Sequence, residues 1–227
     1  LLALRAPAAE PVLHIAANRD ERLDRPWLPP RGLRETPQVL GGRDLLGGGS
    51  WLAVNLDAGF VVAVTNARLG APPGERSRGE LVVDAAAQES LAAAAALLGE
   101  VQLDRYGPFN LLIADAGRTL LATNHPEPLL LESVEAVVAI GNEPLAEPGE
   151  RVLLAAAAAR QALDRPASLG ESLVGVISDH DGADPVCRHG DRYGTVCSTL
   201  LVLAPGRLIS YEFAPGPPCR TPAGGFR

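Results

Sequence analysis

The sequence predicts an α+β fold in which two antiparallel sheets lie between layers of helices. Strand-like segments come in pairs joined by short turns, which is typical of antiparallel hairpins. Helix-like segments are grouped between the hairpins and do not alternate with single strands. Hydrophobic residues make up 47% and charged residues 21% of the 227 residues, close to the globular average, so one folded domain is predicted over residues 1–227.

The first third of the chain is predicted to consist mainly of strands, because apolar runs alternate with proline or glycine clusters. Asp57-Ala58-Gly59 is a hairpin turn between two such runs. The glycine-rich segment 41–49 is interpreted as a turn that leads into a strand, or as backbone that approaches a ligand. The predicted elements are strands 1–6 and 12–17 joined by a turn at 7–11, an irregular proline-rich loop at 26–37, and hairpin strands 51–56 and 60–66.

The rest of the chain is predicted to contain three helices and further strands. Ser77 to Glu80 matches a capping box, in which Ser77 accepts from the Glu80 amide, and a helix is predicted from there to about Leu98. Ser168 to Glu171 repeats that spacing. The other predicted elements are hairpin strands 109–114 and 119–123, strands 129–131 and 137–140, helices 151–163 and 168–177, and hairpin strands 195–203 and 207–213.

Charge and composition exclude several function classes. The net charge of −7 has no basic block, which argues against a nucleic acid or an anionic membrane as partner. All 20 basic residues are Arg, so a Schiff-base lysine, a pyridoxal-phosphate anchor and a Walker-type lysine are excluded. No apolar run is long enough to span a bilayer. The three cysteines do not indicate a disulfide framework, so a soluble protein in a reducing, cytoplasmic compartment is expected.

One segment, Ser178 to Tyr193, is dense in polar residues and is a candidate for a metal site or a substrate-binding loop. Cys187 and His189 could ligate a soft metal together with His180 or an Asp, but no second pair at finger-like spacing accompanies them. A polar loop with internal hydrogen bonds is the preferred interpretation, and a substrate-facing loop is the alternative. No metal and no cofactor is therefore predicted.

The segment Ala16 to Glu21 resembles the signature of the NRDE family, the family of the Transport and Golgi organization protein. That family is placed among the N-terminal nucleophile (Ntn) hydrolases, so the resemblance implies their four-layer αββα sandwich. The resemblance covers nearly the whole chain. It continues, in order, through LGGRDLLGGGSWLAVN, AVTNAR, SRGELVVD, FNLLIAD and YGTVCSTLLVL.

A second resemblance concerns the C-terminal part of the chain. The acyl-coenzyme A:isopenicillin N acyltransferases, which are cysteine Ntn enzymes, carry a pattern similar to SDHDGADPVCRHGD, Thr195-Val196-x-Ser198 and APGPPC. NRDE proteins usually have Arg where this chain has Val196, whereas Val is ordinary in the acyltransferase pattern. Both resemblances imply the same superfamily.

The Ntn resemblance implies a mechanism for the NRDE segment. In these enzymes the first residue of the mature chain, here expected to be Cys, attacks an amide or ester carbonyl, and its α-amino group is the base. An α-amino group titrates near ~7.7–8.0, so it can accept a proton at neutral pH. Asp20 matches the carboxylate that holds this amine, with Asn18 beside it. Taken alone, the segment is also compatible with a strand end whose Asn and Asp cap a turn.

The resemblance also implies donors for an oxyanion. Asn66 and Asn142 match positions at which this superfamily places side-chain amides, which stabilise a tetrahedral intermediate without adding charge. Either residue alone is also compatible with an ordinary turn. Arg19 and Ser198 are assigned to substrate binding and to support of the site.

The expected function is that of an amide-bond hydrolase or acyltransferase acting on a small-molecule acyl amide or acyl ester. The family pattern places the nucleophilic Cys two to four positions ahead of Leu1, and Cys197 is expected to be buried and unreactive. The alternatives are a non-catalytic protein for an apolar ligand such as a lipid, acyl-coenzyme A or haem, and a structural subunit with a relic site. A homodimer is an open alternative to a monomer.

Overall fold

The computed structural model describes residues 1–6, 11–221 and 226, and it places two antiparallel sheets at the centre of the molecule. This confirms the α+β prediction. The strands are β1 Leu2–Ala6, β2 Val12–Arg22, β3 Trp27–Arg34, β4 Val39–Asp44, β5 Leu52–Asn55, β6 Phe60–Asn66, β7 Phe109–Ala114, β8 Thr119–Thr123, β9 Leu129–Ser133, β10 Val137–Ala139, β11 Tyr193–Ala204 and β12 Arg207–Ala214. The α-helices are α1 Arg78–Ala86, α2 Leu91–Glu100, α3 Glu150–Leu163 and α4 Leu169–Ser178.

The two sheets differ in how the chain runs through them. One has seven strands in sequence order, β3 to β9, so each strand pairs with its neighbour in the chain. The other has five strands in the order β10-β1-β2-β11-β12. Because β2 and β11 pair at its centre, that sheet joins the beginning and the end of the described chain.

Three apolar clusters define four layers. The first packs α1 and α2 on one face of the seven-stranded sheet, with Phe60, Leu81 and Phe109 at its centre. The second lies between the two sheets and contains Ile15 and Leu112. The third packs α3 and α4 on the outer face of the five-stranded sheet. The order helix, sheet, sheet, helix is the predicted αββα sandwich, and burial of these apolar side chains is its main source of stability.

The helix predicted from Ser77 to about Leu98 is two helices. Asn55 of β5 is completely buried and donates its side-chain amide to the carbonyls of Ala86 and Gln88, each at 2.9 Å. These carbonyls lie where α1 ends, so Asn55 satisfies groups that a continuous helix would use internally. Ser90 then caps α2 by accepting from the Ala93 amide at 3.1 Å.

The two capping boxes behave differently from the prediction. Ser77 does cap α1, but its hydroxyl accepts from the Gly79 amide at 3.1 Å and not from Glu80. Ser168 makes no side-chain bond to the start of α4, because a short 3₁₀ turn over Pro166–Ser168 precedes that helix.

Two predictions in the first third of the chain were wrong, the end of one strand and the assignment of another strand as a loop. β2 does not end at Ala17; it continues to Arg22, because β11 pairs with it as far as Tyr193 opposite Arg22. The segment predicted as an irregular loop at 26–37 forms β3. Pro29 and Pro30 are tolerated there because β3 is the edge strand and its register with β4 shifts between Leu28 and Arg31.

The predicted hairpins of β5–β6, β7–β8 and β11–β12 are confirmed, and β1 pairs with β2 as expected. The turn predicted at 7–11 falls largely on residues 7–10, outside the described residues. Residues 41–44 of the glycine-rich segment belong to β4, and residues 45–49 form the turn that leads towards β5. A Cβ on Gly49 would lie 2.0 Å from backbone atoms of Gly79, so the turn packs directly on the start of α1. None of the described helices combines the length and apolar character that a membrane crossing requires.

Candidate active site

A cavity of about 600 Å³ brings together residues from both sheets and from the starts of α1 and α3. Five predicted site residues line it, namely Asn18, Arg19, Asp20, Asn66 and Asn142. They come from three parts of the chain that only the fold unites. Ser198 is not among the lining residues; it is buried behind Asn18.

Asp20 is held on several sides within this cavity. It lies inside β2, opposite Thr195 of β11, and its Oδ1 accepts a 2.7 Å hydrogen bond from the Thr195 hydroxyl. Its backbone carbonyl accepts from the Tyr193 hydroxyl at 3.0 Å. Its Oδ2 lies 3.8 Å from Arg151 and 3.6 Å from Arg188. The carboxylate is therefore fixed in direction, while its second oxygen keeps accepting capacity.

Arg151 and Arg188 are functional candidates that the sequence analysis missed. The Nε and Nη2 of Arg151 and the Nε of Arg188 are buried and have no hydrogen-bond partner among the described residues. Arg151 is in the first turn of α3, where a cation is unfavourable beside the positive end of the helix dipole. A cation at this position of a helix is unusual, so the sequence alone could have pointed to Arg151. Nothing in the sequence pointed to Arg188, because only the loop before β11 brings it to Asp20.

Asn18 is a positioning residue in this geometry. Its side-chain nitrogen donates to the carbonyls of Ile177 at 2.8 Å and Val186 at 3.1 Å, and its oxygen accepts from Ser198 at 2.7 Å. Both donors of the amide are thus used. Asn18 fixes the end of α4 and the following loop against the five-stranded sheet, and Ser198 supports it.

Arg19 is buried in the cavity wall with only 7% of its surface exposed. Its guanidinium lies over the Trp51 ring at 4.4 Å from the centroid, and its Nη2 donates to Asp44 at 2.9 Å. Its Nη1 is buried without a hydrogen-bond partner among the described residues. A buried, unpaired N–H costs free energy, so this atom is a ready donor for a bound polar group.

Asn66 and Asn142 lie next to each other across the two sheets. The side-chain nitrogen of Asn142 donates to the backbone carbonyl of Asn66 at 3.2 Å, which leaves its second N–H available. Asn110 holds the same segment by donating to the Glu143 carbonyl at 2.8 Å. The region after β10 is therefore tied to the seven-stranded sheet.

The N-terminal end of β1 enters the cavity at Leu1. Its nitrogen donates to the Ile140 carbonyl at 3.1 Å, and its carbonyl accepts from the Ile140 amide at 3.0 Å. An amino group at this nitrogen has its pKa lowered to about 6, first by burial and then by Arg151, with Asp20 and Glu143 opposing the change.

Cys197, the internal thiol in β11, is not a cavity residue. It is completely buried, as predicted, and burial raises its pKa to about 12. Within the part of the chain that the structure describes, no Cys or His lines the cavity. Metal ligation there would fall to carboxylates such as Asp20 and Asp44, which already face arginines.

Comparisons with known proteins agree with this architecture. The family model described as "Transport and Golgi organisation 2" matches residues 5–186. A Caenorhabditis elegans N-acylethanolamine-hydrolyzing acid amidase ortholog is similar in structure, with a TM-score of 0.60 and 14% sequence identity over 90% of this chain and 92% of that chain. A comparison with curated proteins gave no match.

At 14% identity, the likeness to the acid amidase concerns the fold, which is that of the Ntn hydrolases. The family match covers most of the chain and includes Asn18, Arg19, Asp20, Asn66, Asn142 and Arg151, while Leu1 lies ahead of it. Arg188 and Ser198 lie beyond it. The chain belongs to the Transport and Golgi organisation 2 family.

Proposed function

We propose that the protein is an Ntn-type amide-bond hydrolase or acyltransferase whose nucleophile is a Cys ahead of Leu1. One observation carries the proposal: Leu1, Asn18, Asp20, Asn66 and Asn142 line a single cavity. Leu1 is the residue just ahead of β1, and the other four are the residues to which the family resemblance assigned catalytic roles.

The register of β1 supports this position for the nucleophile. Leu2 lies opposite Ala16 of β2 on one side and Ala139 of β10 on the other. If β1 continues in the same register, the second residue ahead of Leu1 falls between Arg19 and Asn142. A Cys there is next to Asp20 on one side and to an amide donor on the other.

The amine of that residue is the base in this proposal. An α-amino group titrates near ~7.7–8.0, and burial lowers that pKa further, so a free α-amine on this Cys can take the thiol proton at pH 7. Asp20, fixed by Thr195, orients the amine by accepting from it. The thiolate then attacks the carbonyl carbon, and the protonated amine returns its proton to the leaving amine.

The oxyanion of the tetrahedral intermediate needs donors that are already in place. The free N–H of Asn142, the side chain of Asn66 and the unpaired Nη1 of Arg19 are the candidates. An acyl-enzyme thioester follows collapse of the intermediate. Water or an acceptor amine then releases the acyl group, which separates a hydrolase from an acyltransferase.

A second candidate function is binding of an apolar ligand without turnover. Aliphatic side chains form much of the cavity lining, including Leu2, Val64, Ile140, Val152 and Ile177. Such a lining suits an acyl chain whether or not a bond is broken. The two candidates therefore share a ligand class and differ in the residue at the mature N-terminus.

The test is the intact mass and N-terminal sequence of the mature protein, followed by turnover of N-acyl amides of increasing chain length. We expect a free Cys at the start and a mass increase equal to one acyl group when the thioester is trapped by acid quenching. The matched control replaces that Cys by Ala and should lose both. A blocked amine, or a first residue other than Cys, Ser or Thr, would rule out the catalytic proposal and leave the binding one.

A further inference from the structure

Four potential metal ligands meet outside the cavity, at one corner of the five-stranded sheet. His180 follows α4, Cys187 and His189 lie in the loop before β11, and Cys219 lies in a short 3₁₀ turn after β12. The sequence analysis already considered His180, Cys187 and His189 as ligands of one metal ion. It had no means to bring in Cys219, which is 30 residues beyond His189.

The distances among three of these side chains match a tetrahedral zinc site. Zn–S bonds of about 2.3 Å and Zn–N bonds of about 2.0–2.1 Å require S–S separations of about 3.8 Å and S–N separations of about 3.6 Å. The Cys187 and Cys219 sulfurs are 3.5 Å apart. The His189 Nε2 lies 3.7 Å from the Cys187 sulfur and 3.1 Å from the Cys219 sulfur. The two separations that involve Cys187 are close to these values, and the His189–Cys219 pair is about 0.5 Å shorter than a shared metal would set.

His180 is the candidate fourth donor, and it joins the group on the side of His189 and Cys219. The ligand atoms of His180, His189 and Cys219 all lie within 4.8 Å of one another. The Nδ1 of His180 lies 3.0 Å from the Ser178 carbonyl, and because a carbonyl can only accept, this nitrogen carries the proton. The Nε2 lone pair is then free. A hydrogen bond from the other ring nitrogen to a backbone carbonyl is the usual way in which a ligating histidine is oriented.

A disulfide between Cys187 and Cys219 explains less of this arrangement. Their sulfurs are 3.5 Å apart, well beyond a bond length of about 2.05 Å, and both cysteines are free. A disulfide would not account for the two imidazoles beside the sulfurs, whereas a Cys₂His₂ set is a standard structural zinc site.

We propose that His180, Cys187, His189 and Cys219 form a structural zinc site. Zinc would displace the thiol protons of Cys187 and Cys219, because the thiolate is the form that binds the metal. The site ties the segment after β12 to the loop before β11. Arg188 lies between two of the ligands and reaches Asp20 Oδ2 at 3.6 Å, so the metal also fixes the loop that delivers Arg188 to the cavity.

The experiment measures metal content of the full chain, purified without a histidine tag, reduced, loaded with ZnCl₂ and passed over a desalting column. We expect one zinc per chain, and tetrahedral thiolate–cobalt absorption when Co²⁺ replaces Zn²⁺. Cys219→Ser and His180→Asn should each weaken zinc affinity at least about a hundredfold, as measured by competition with a chromophoric chelator. Cys197→Ser removes a thiol that is not part of the cluster and should still bind one zinc.

His180 is exposed, so His180→Asn reports on the metal even if the cysteine variants fold poorly. A reduced wild-type protein with native circular dichroism and less than about 0.1 zinc per chain would overturn the proposal. So would a His180→Asn variant with unchanged zinc affinity, or a Cys187–Cys219 disulfide in a protein that takes up no zinc after reduction.

Discussion

Asp20 and Asp44 line the same cavity and are almost equally buried, with side-chain exposures of 11% and 15%, yet their surroundings differ. Asp44 ends β4 of the seven-stranded sheet. Its Oδ2 accepts from Arg25 at 2.7 Å and Arg19 at 2.9 Å, and its Oδ1 accepts from two backbone amides at 2.8 and 3.0 Å. Asp20, in the five-stranded sheet, has one short bond, from Thr195, and two arginines at 3.6–3.8 Å.

The difference separates a structural carboxylate from one that is prepared for a ligand. Asp44 has its accepting capacity filled, so a substrate would have to displace a strong contact to reach it. Asp20 keeps an oxygen near Arg151 and Arg188, which both pair with Asp184 but still have buried N–H groups without a hydrogen-bond partner among the described residues. An incoming amine could donate to Asp20, and an incoming carbonyl could accept from the arginines beside it. Asp44 offers no such gain in hydrogen bonding, because its oxygens already accept from two arginines and two backbone amides.

The largest effect is expected from Asp20→Asn on turnover of an acyl amide. Loss of the carboxylate removes the group that orients the amine, and we expect kcat to fall by about 10²–10⁴-fold. The free energy of unfolding should fall less than in Asp44→Asn, because an amide oxygen can still accept from Thr195 and because Arg151 and Arg188 both keep Asp184 as an ion-pair partner. Asp104→Asn, an exposed carboxylate outside the cavity, is the matched control. Turnover by Asp20→Asn at the wild-type rate would remove the distinction drawn between the two aspartates.

The next largest effect is expected from Asp44→Asn on stability. The substitution removes the close carboxylate partner of buried Arg19 and leaves it only Glu21 at 3.8 Å, so we expect the free energy of unfolding to fall by about 2–3 kcal/mol. Urea unfolding measures it. Asp24→Asn removes an equally short but fully exposed ion pair with Arg22 and should have no measurable effect. Equal losses in both variants would contradict the structural role given to Asp44.

A smaller effect concerns the pH dependence of stability. Burial tends to raise the pKa of Asp44, but hydrogen bonds from Arg25 and the Gly47 amide outweigh it, so the net pKa is lowered. The stabilisation is therefore fully present above the unfolded pKa of about 3.9 and is lost as pH falls through the lower folded value. We expect the stability difference between wild type and Asp44→Asn to narrow below about pH 4 in urea titrations. A constant difference from pH 6 to pH 3 would disagree.

The smallest effect is expected from Ser198→Ala. Asn18 loses the hydroxyl that bonds its oxygen at 2.7 Å, which should cost about 1 kcal/mol of stability. Turnover should fall by a few fold only, because Asn18 keeps its bonds to Ile177 and Val186. Ser210→Ala, in β12, removes a hydroxyl without a side-chain hydrogen bond among the described residues and is the control. A loss of turnover as large as that of Asp20→Asn would make Ser198 a direct participant.

Much of the fold could be predicted because hairpins are local. The β5–β6 and β7–β8 pairs are specified by alternating apolar residues and short turns within a few residues of each other. The length of β2 could not be predicted in this way. Asn18 to Arg22 are polar, and they are in a strand only because β11 pairs with them from the far end of the chain.

The site residues also fall into those that the sequence could identify and those that it could not. Resemblance to a known family identified Asn18, Asp20, Asn66 and Asn142, and all four line the cavity. It did not reveal that both donors of the Asn18 amide are used by Ile177 and Val186, since those contacts span about 160 residues. Arg151 and Arg188 were missed for a related reason. Their importance comes from where α3 and the β11 loop dock, which no local pattern specifies.

The pairing of β2 with β11 also has a consequence for the time course of synthesis. Asp20 and Thr195 are separated by 175 residues, so β2 leaves the ribosome long before its partner strand exists. During that interval the β1–β2 hairpin exposes an unpaired edge, while the seven-stranded sheet can already assemble from neighbours in the chain. The catalytic candidates Asp20 and Arg188 therefore come together only in the last steps of folding, and a nascent chain stalled before β11 is the form most exposed to aggregation.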